Sequence, residues 1–167
     1  KIADIYKNIT GKAIDDKSAS KEVESLRKQQ EKYRVLLEKN ALEEIRATED
    51  LQMQVDEARI NAMNEGSEKV IAQMELNFEK ELQAIDRQKE DLLRKRISDA
   101  RDEFEANPKN KGKTIDGSKI SLSDDDTKYF DGLYKAAISN NEKTYRTLVN
   151  QYLAYSDERI AIEKKFN

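Results

Sequence analysis

Apolar residues fall on slowly drifting helical stripes over most of this chain. In the first part they recur at Val23, Leu26, Tyr33, Leu37, Ala41, Ile45, Leu51, Val55, Ala58 and Ala62, mostly at steps of three, four or seven. That spacing places one apolar row along a helix, nearer an eleven-residue than a strict seven-residue repeat. The pattern resumes with Ile71, Met74, Phe78, Leu82, Ile85, Leu92, Ala100 and Phe104. From Ser20 to Ala106 there is no Pro and a single Gly. Because an interior Pro costs about 3 kcal/mol and a Gly about 1 kcal/mol in a helix, so long a run without breakers predicts helix throughout.

Within that run Asn64-Glu65-Gly66-Ser67 has the chemistry of a turn. Gly66 suits a left-handed position that ends one helix, and Ser67 suits the cap of the next. The competing arrangement is one uninterrupted helix that tolerates the Gly, since Met63, Ser67, Val70 and Met74 keep helical phase through the junction.

Residues 107–122 (NPKNKGKTIDGSKISL) interrupt the pattern with the only Pro and two of the five Gly. A connection of this length is associated with function or flexibility. Its end is sharply marked. Ser123, followed by Asp124, Asp125 and Asp126, predicts a capping-box start in which Asp126 occupies the reciprocal position and three carboxylates meet the positive end of the helix dipole.

The strongest periodicity follows. Phe130, Tyr134, Ile138, Asn141, Tyr145, Leu148, Tyr152, Tyr155, Arg159, Ile162 and Phe166 are separated by threes and fours over about five heptads, which meets the criterion for a coiled-coil seam. Asn141 reads as a register device in that seam, or else as part of an Asn140-Asn141 turn. The phase runs unbroken through Ser139, which favours a single helix.

The expected organisation is therefore a lead-in over 1–18, a helical hairpin or one long helix over 19–106 with its turn near 64–67, a linker over 107–122 and a heptad helix over 123–167. Three helical segments of similar length (about 20–64, 67–106 and 124–166) fit an all-α fold, an elongated antiparallel coiled coil or three-helix rod. The absence of a starting Met and the helical pattern continuing to Phe166 suggest a piece of a larger protein.

Composition agrees with this picture. Ala, Glu, Lys, Leu and Arg fill close to half of the chain, as in long helices. With 39% charged and 37% hydrophobic residues, a broad globular core is hard to fill but a narrow seam is not. The 31 basic and 34 acidic residues are interleaved, so no basic stripe offers itself to nucleic acid. No apolar stretch approaches the roughly 20 residues that a membrane span requires.

Candidate chemistry is sparse. The sequence has no Cys and no His, which removes thiolate chemistry, the usual general base and the commonest metal ligand. Asp116 and Asp124 to Asp126 supply oxygen ligands of the type Ca²⁺ takes, but without the looped spacing of an EF-hand, and helix capping explains them better. The tyrosines at 129, 134, 145, 152 and 155 lack an accompanying Lys/Arg groove, and most of them lie on the seam, which reads as core packing and not as a base-stacking platform. Gly112 and Gly117 lack the spacing of a phosphate loop. The expectation is a non-enzyme with no catalytic residue, no cofactor and no metal site.

The segment GSEKVIAQMELNFEKELQAIDRQKEDLL, with EFEANPKNKGKTIDGSKISLSDDDTKYFDGLYKAAI and LVNQYLAYSDERIAIEKKFN, resembles the helical region of phage and prophage tail tape measure proteins. The resemblance runs from about Val23 to the end, and its most specific portion is NPKNKG…SLSDDD…YFDGLY. It implies a structural role in setting tail length, a place in the virion tail after assembly in the bacterial cytoplasm, and partners among copies of itself and tail tube or assembly proteins. It carries no catalytic residues onto this chain. A cellular coiled-coil scaffold or adaptor is the alternative that the helical pattern also fits.

Overall fold

The computed structural model describes Asp4, Lys7, Asn8 and residues 16–166; for Asp16, Ile162, Glu163 and Phe166 it describes the backbone alone. The lead-in over 1–18 thus lies largely outside the described residues. Three long helices dominate: α1 (Asp16–Asn61), α2 (Ser67–Ala106) and α3 (Asp124–Phe166), with no strand among the described residues. The fold is all-α.

Compact packing divides the chain into residues 1–51 and 52–167. That boundary falls inside α1, where the sequence has neither Pro nor Gly to mark it. In the first unit the helix buries Ala19 and leaves Tyr33, Leu36, Leu37, Ile45 and Leu51 half or more exposed. Ion pairs within the helix join Glu24 to Lys28 and Arg34 to Glu31 and Glu38.

The second unit holds the end of α1, α2, the linker and α3. The chain leaves α1 at Asn61 and enters α2 at Ser67, so the uninterrupted helix does not form. Gly66 has φ 157° and ψ −177°, a region essentially closed to residues with a Cβ, and not the left-handed helical conformation expected. Gly66 itself is the N-cap of α2, and no side chain makes a cap hydrogen bond there. The expected cap at Ser67 is corrected accordingly: Ser67 is already the first helical residue, one position too far along to cap. The α1 end is closed instead by Lys69, whose ammonium donates to the Asn61 carbonyl at 3.3 Å, a cation at the negative end of the helix dipole. Lys80 and Glu57 add an ion pair at 2.9 Å, and Ile60 and Leu76 are buried in the same stretch.

The linker is folded against the end of α2. Asn110 donates its side-chain amide to the Phe104 carbonyl at 3.0 Å, satisfying one of the acceptors a helix end leaves over. Two short 3₁₀ turns, Pro108–Asn110 and Gly117–Lys119, are each capped by the preceding side chain, Asn107 and Asp116. Gly112 between them takes φ 76°. Gly117 is buried because α2 comes close: a Cβ there would lie 3.0 Å from the Arg101 guanidinium and 3.1 Å from an Ile97 methyl.

α2 and α3 pack on each other around Ile85, Phe130 and Ala137, with Phe78, Leu82, Leu92, Leu122, Leu133 and Tyr134 around them. The polar pairs beside this core move back along α2 as they advance along α3, from Arg96 with Asp126 to Asp86 with Tyr134.

Candidate interaction surface

The start of α3 is built by a reciprocal cap. The Ser123 hydroxyl accepts from the Asp126 backbone N–H at 3.1 Å, and the Asp126 carboxylate accepts from the Ser123 N–H at 3.3 Å. That carboxylate also receives a two-pronged donation from Arg96 of α2, at 3.2 Å from Nε and 3.1 Å from Nη2. Donation from Arg96 and then from Ser123 holds Asp126 below the usual carboxylate range. Asp116 is likewise held low, first by the Ser118 hydroxyl and then by the Ser118 N–H. Both carboxylates are occupied in organising backbone.

Two helical turns further on, the Tyr134 hydroxyl donates to the Asp86 carboxylate. The Lys89 ammonium stands 5.7 Å from the Tyr134 ring centre, within cation–π reach. Donation to a carboxylate stabilises the neutral phenol, and Tyr134 is pushed up to about 12.

The face of α3 that packs on α2 shares Phe130, Tyr134, Asn141 and Leu148 with the expected row but is rotated away from Ile138 and Tyr145. Phe130 is 2% exposed and Ala137 is fully buried, whereas the seam candidates Ile138 and Tyr145 are 47% and 49% exposed. Phe130, Leu133, Tyr134 and Ala137 meet α2, and Asn141, Thr144 and Leu148 continue along that side. The expected row is therefore corrected at Ile138 and Tyr145, which lie beside the packed face and outside it. Ala137, small and fully buried, holds the contact position that Ile138 was expected to fill. Tyr152 and Tyr155 are also exposed, and the side chains of Ile162 and Phe166 lie outside the described residues. No turn forms at Asn140-Asn141, because α3 is continuous there.

Beyond the core, the helix pair opens into a groove of about 520 Å³ between the first half of α2 and the middle of α3. Val70, Met74, Phe78 and Leu148 supply apolar walls, and Asn77 and Asn141 supply amides. Charge in the groove lies at Glu81 and at Glu65 and Lys69, which pair with each other. Among the described residues no group of three His, Cys, Asp or Glu is placed to hold a metal ion. No described helix is long and apolar enough to cross a membrane.

Comparisons with protein-family models, curated proteins and solved structures find no match. The functional reading therefore stands on the surface itself. Its main feature is apolar area left uncovered on long helices: Tyr33, Leu37, Ile45 and Leu51 on α1, and separately Ile138, Tyr145, Tyr152 and Tyr155 on α3. Scattered exposed apolar residues are ordinary, whereas these recur at helical spacing.

Sequence reasoning missed Arg96, Asp86, Ala137 and Gly117. Arg96 and Asp86 sit among many charges on a solvated helix and carry no distinguishing local signal. The small residues Ala137 and Gly117 matter only because another element comes close to them.

Proposed function

We propose that this chain is a non-catalytic, architectural helical segment of the tail tape measure kind, acting through an antiparallel helical coiled coil and contributing to tail length and assembly. One observation carries the architectural part: helices of 46, 40 and 43 residues that leave rows of large apolar side chains uncovered. A helix advances 1.5 Å per residue, so such helices, when the chain is drawn out end to end in a tail, translate residue number into distance, by about 60 to 70 Å each. The phage assignment is supported by the sequence resemblance centred on NPKNKG…SLSDDD…YFDGLY. On this reading the partners are further copies of the chain and tail tube or assembly proteins, and the location is the virion tail.

The deciding experiment is an in-frame deletion of 14 residues from α1 or α2 in the parent gene, with tail lengths measured by electron microscopy. A tape measure gives tails shorter by about 21 Å for each 14-residue deletion. Tails of unchanged length would defeat the proposal. A scaffold or adaptor role would then be the alternative to pursue.

A further inference from the structure

We infer that α1 carries a self-recognition face and that a second copy of this chain docks on it antiparallel, about a two-fold axis passing beside Lys39. This deepens the architectural reading above and rests on it, by naming the partner and the geometry of one of the uncovered rows.

The row is nearly symmetric about its middle. Reflection through Lys39 carries Leu37 onto Ala41, Tyr33 onto Ile45 and Gln30 onto Thr48, and brings Leu26 within one residue of Leu51. In an antiparallel pair Leu37 therefore faces the small Ala41, Tyr33 faces Ile45, and the polar Gln30 faces the polar Thr48. A parallel pair would set Tyr33 against Tyr33 and crowd the row. Sliding the antiparallel pair by one heptad would place Gln30 against apolar positions, a penalty that fixes register. Tyr33, Leu37, Ile45 and Leu51 are 64%, 51%, 57% and 61% exposed, so the face is uncovered within the chain.

Charge selects the same orientation. Residues 27–38 carry four basic side chains (Arg27, Lys28, Lys32, Arg34) and two acidic ones, while residues 40–51 carry four acidic ones (Glu43, Glu44, Glu49, Asp50) and one basic. Net +2 thus lies opposite net −3 when the copies run antiparallel, and like lies opposite like when they run parallel. The paired stretch from Leu26 to Leu51 is about 38 Å long, and two such faces cover on the order of 1,000 Å², at the low end for a specific association. A reversible dimer is the expected strength.

The test uses the whole 167-residue chain, which has no cysteine of its own. Two single variants, Tyr33→Cys and Ile45→Cys, are oxidised separately and as a mixture. The antiparallel geometry joins position 33 to position 45 in the mixture and gives little product from either variant alone, since equal positions lie about 18 Å apart along the axis. A parallel pair gives the reverse result and overturns the proposal. Sedimentation equilibrium supplies the second arm. Ile45→Glu is expected to weaken the dimer at least about tenfold. Val35→Glu alters a residue that is also exposed but lies about 200° around the helix from Tyr33, and it should have little effect. Raising salt from 0.05 to 0.5 M should weaken the dimer as the opposed charges are screened. A chain that remains monomeric at about 100 μM, with its helical circular-dichroism spectrum intact, would refute this inference and leave the tail-length experiment unaffected.

Discussion

Asp126 is shared between two tasks: its carboxylate closes the cap at the start of α3 and at the same time takes both prongs of the Arg96 guanidinium from α2. One side chain thereby fixes where α3 begins and which stretch of α2 it lies against. A planar guanidinium meeting a carboxylate edge-on is directional, unlike the many simple ion pairs on this surface.

Replacing Asp126 should therefore cost more than replacing Arg96. Asp126→Ala removes the clamp and half of the cap, whereas Arg96→Ala leaves the Ser123 cap in place. Thermal unfolding followed by circular dichroism at pH 7 should give melting temperatures in the order wild type, Arg96→Ala, Asp126→Ala. The difference has a defined pH dependence. Asp126 titrates lower in the folded chain than its ordinary value of about 3.9, so its contribution is complete above that value and disappears as pH falls through the folded value. The melting temperatures of wild type and Asp126→Asn should converge in acid. A gap that persists unchanged at pH 2 would count against the clamp.

Tyr134 makes the opposite prediction at high pH. Its folded value, about 12, is raised above the ordinary value of about 10, so the Asp86 bond contributes fully below about pH 10 and is lost as pH rises through 12. A spectrophotometric titration should contain a late component from Tyr134, and Tyr134→Phe should abolish that component. The same substitution should lower the melting temperature at neutral pH while making stability less sensitive to base.

The core between α2 and α3 is small, so single changes in it should be felt. Phe130→Ala deletes the ring at its centre and is expected to destabilise by about 3 kcal/mol, within the range for large-to-small changes at buried aromatic sites. Ala137→Leu should also destabilise, by about 1 to 3 kcal/mol, because the fully buried site has no room for the larger side chain. Ile138→Ala, one residue on and 47% exposed, should be nearly neutral in denaturant melts. Equal losses at 137 and 138 would show that the packed face has been misplaced.

Gly66 tests the turn between α1 and α2. With φ 157° and ψ −177° it occupies backbone space that a Cβ disfavours, although nothing stands within 4 Å of the site. Gly66→Ala should therefore destabilise by about 1 to 3 kcal/mol through the backbone alone. Gly132→Ala, in open space inside α3, should stabilise by up to about 1 kcal/mol because Ala is the better helix former. Opposite signs in urea unfolding would separate conformational strain from helix propensity.

Local rules fixed much of this chain in advance. Helix propensity and the scarcity of Gly and Pro wrote the three helices. Ser123 and Asp126 announced the start of α3 because a cap is completed by residues three apart, with only the immediate backbone involved. The local sequence at Gly66 left a turn and an uninterrupted helix both open, and the structure decided for the break, with its own backbone geometry and cap. What the tertiary structure alone decided was phase and partnership: that Ala137 is packed against α2 while Ile138 is not, that Arg96 is the one arginine clamping Asp126, and that Gly117 lies against Ile97 and Arg101. A heptad pattern weights large apolar residues, but which side of a helix is packed depends on the side chains that meet at the contact, and those depend on which residues the partner brings opposite.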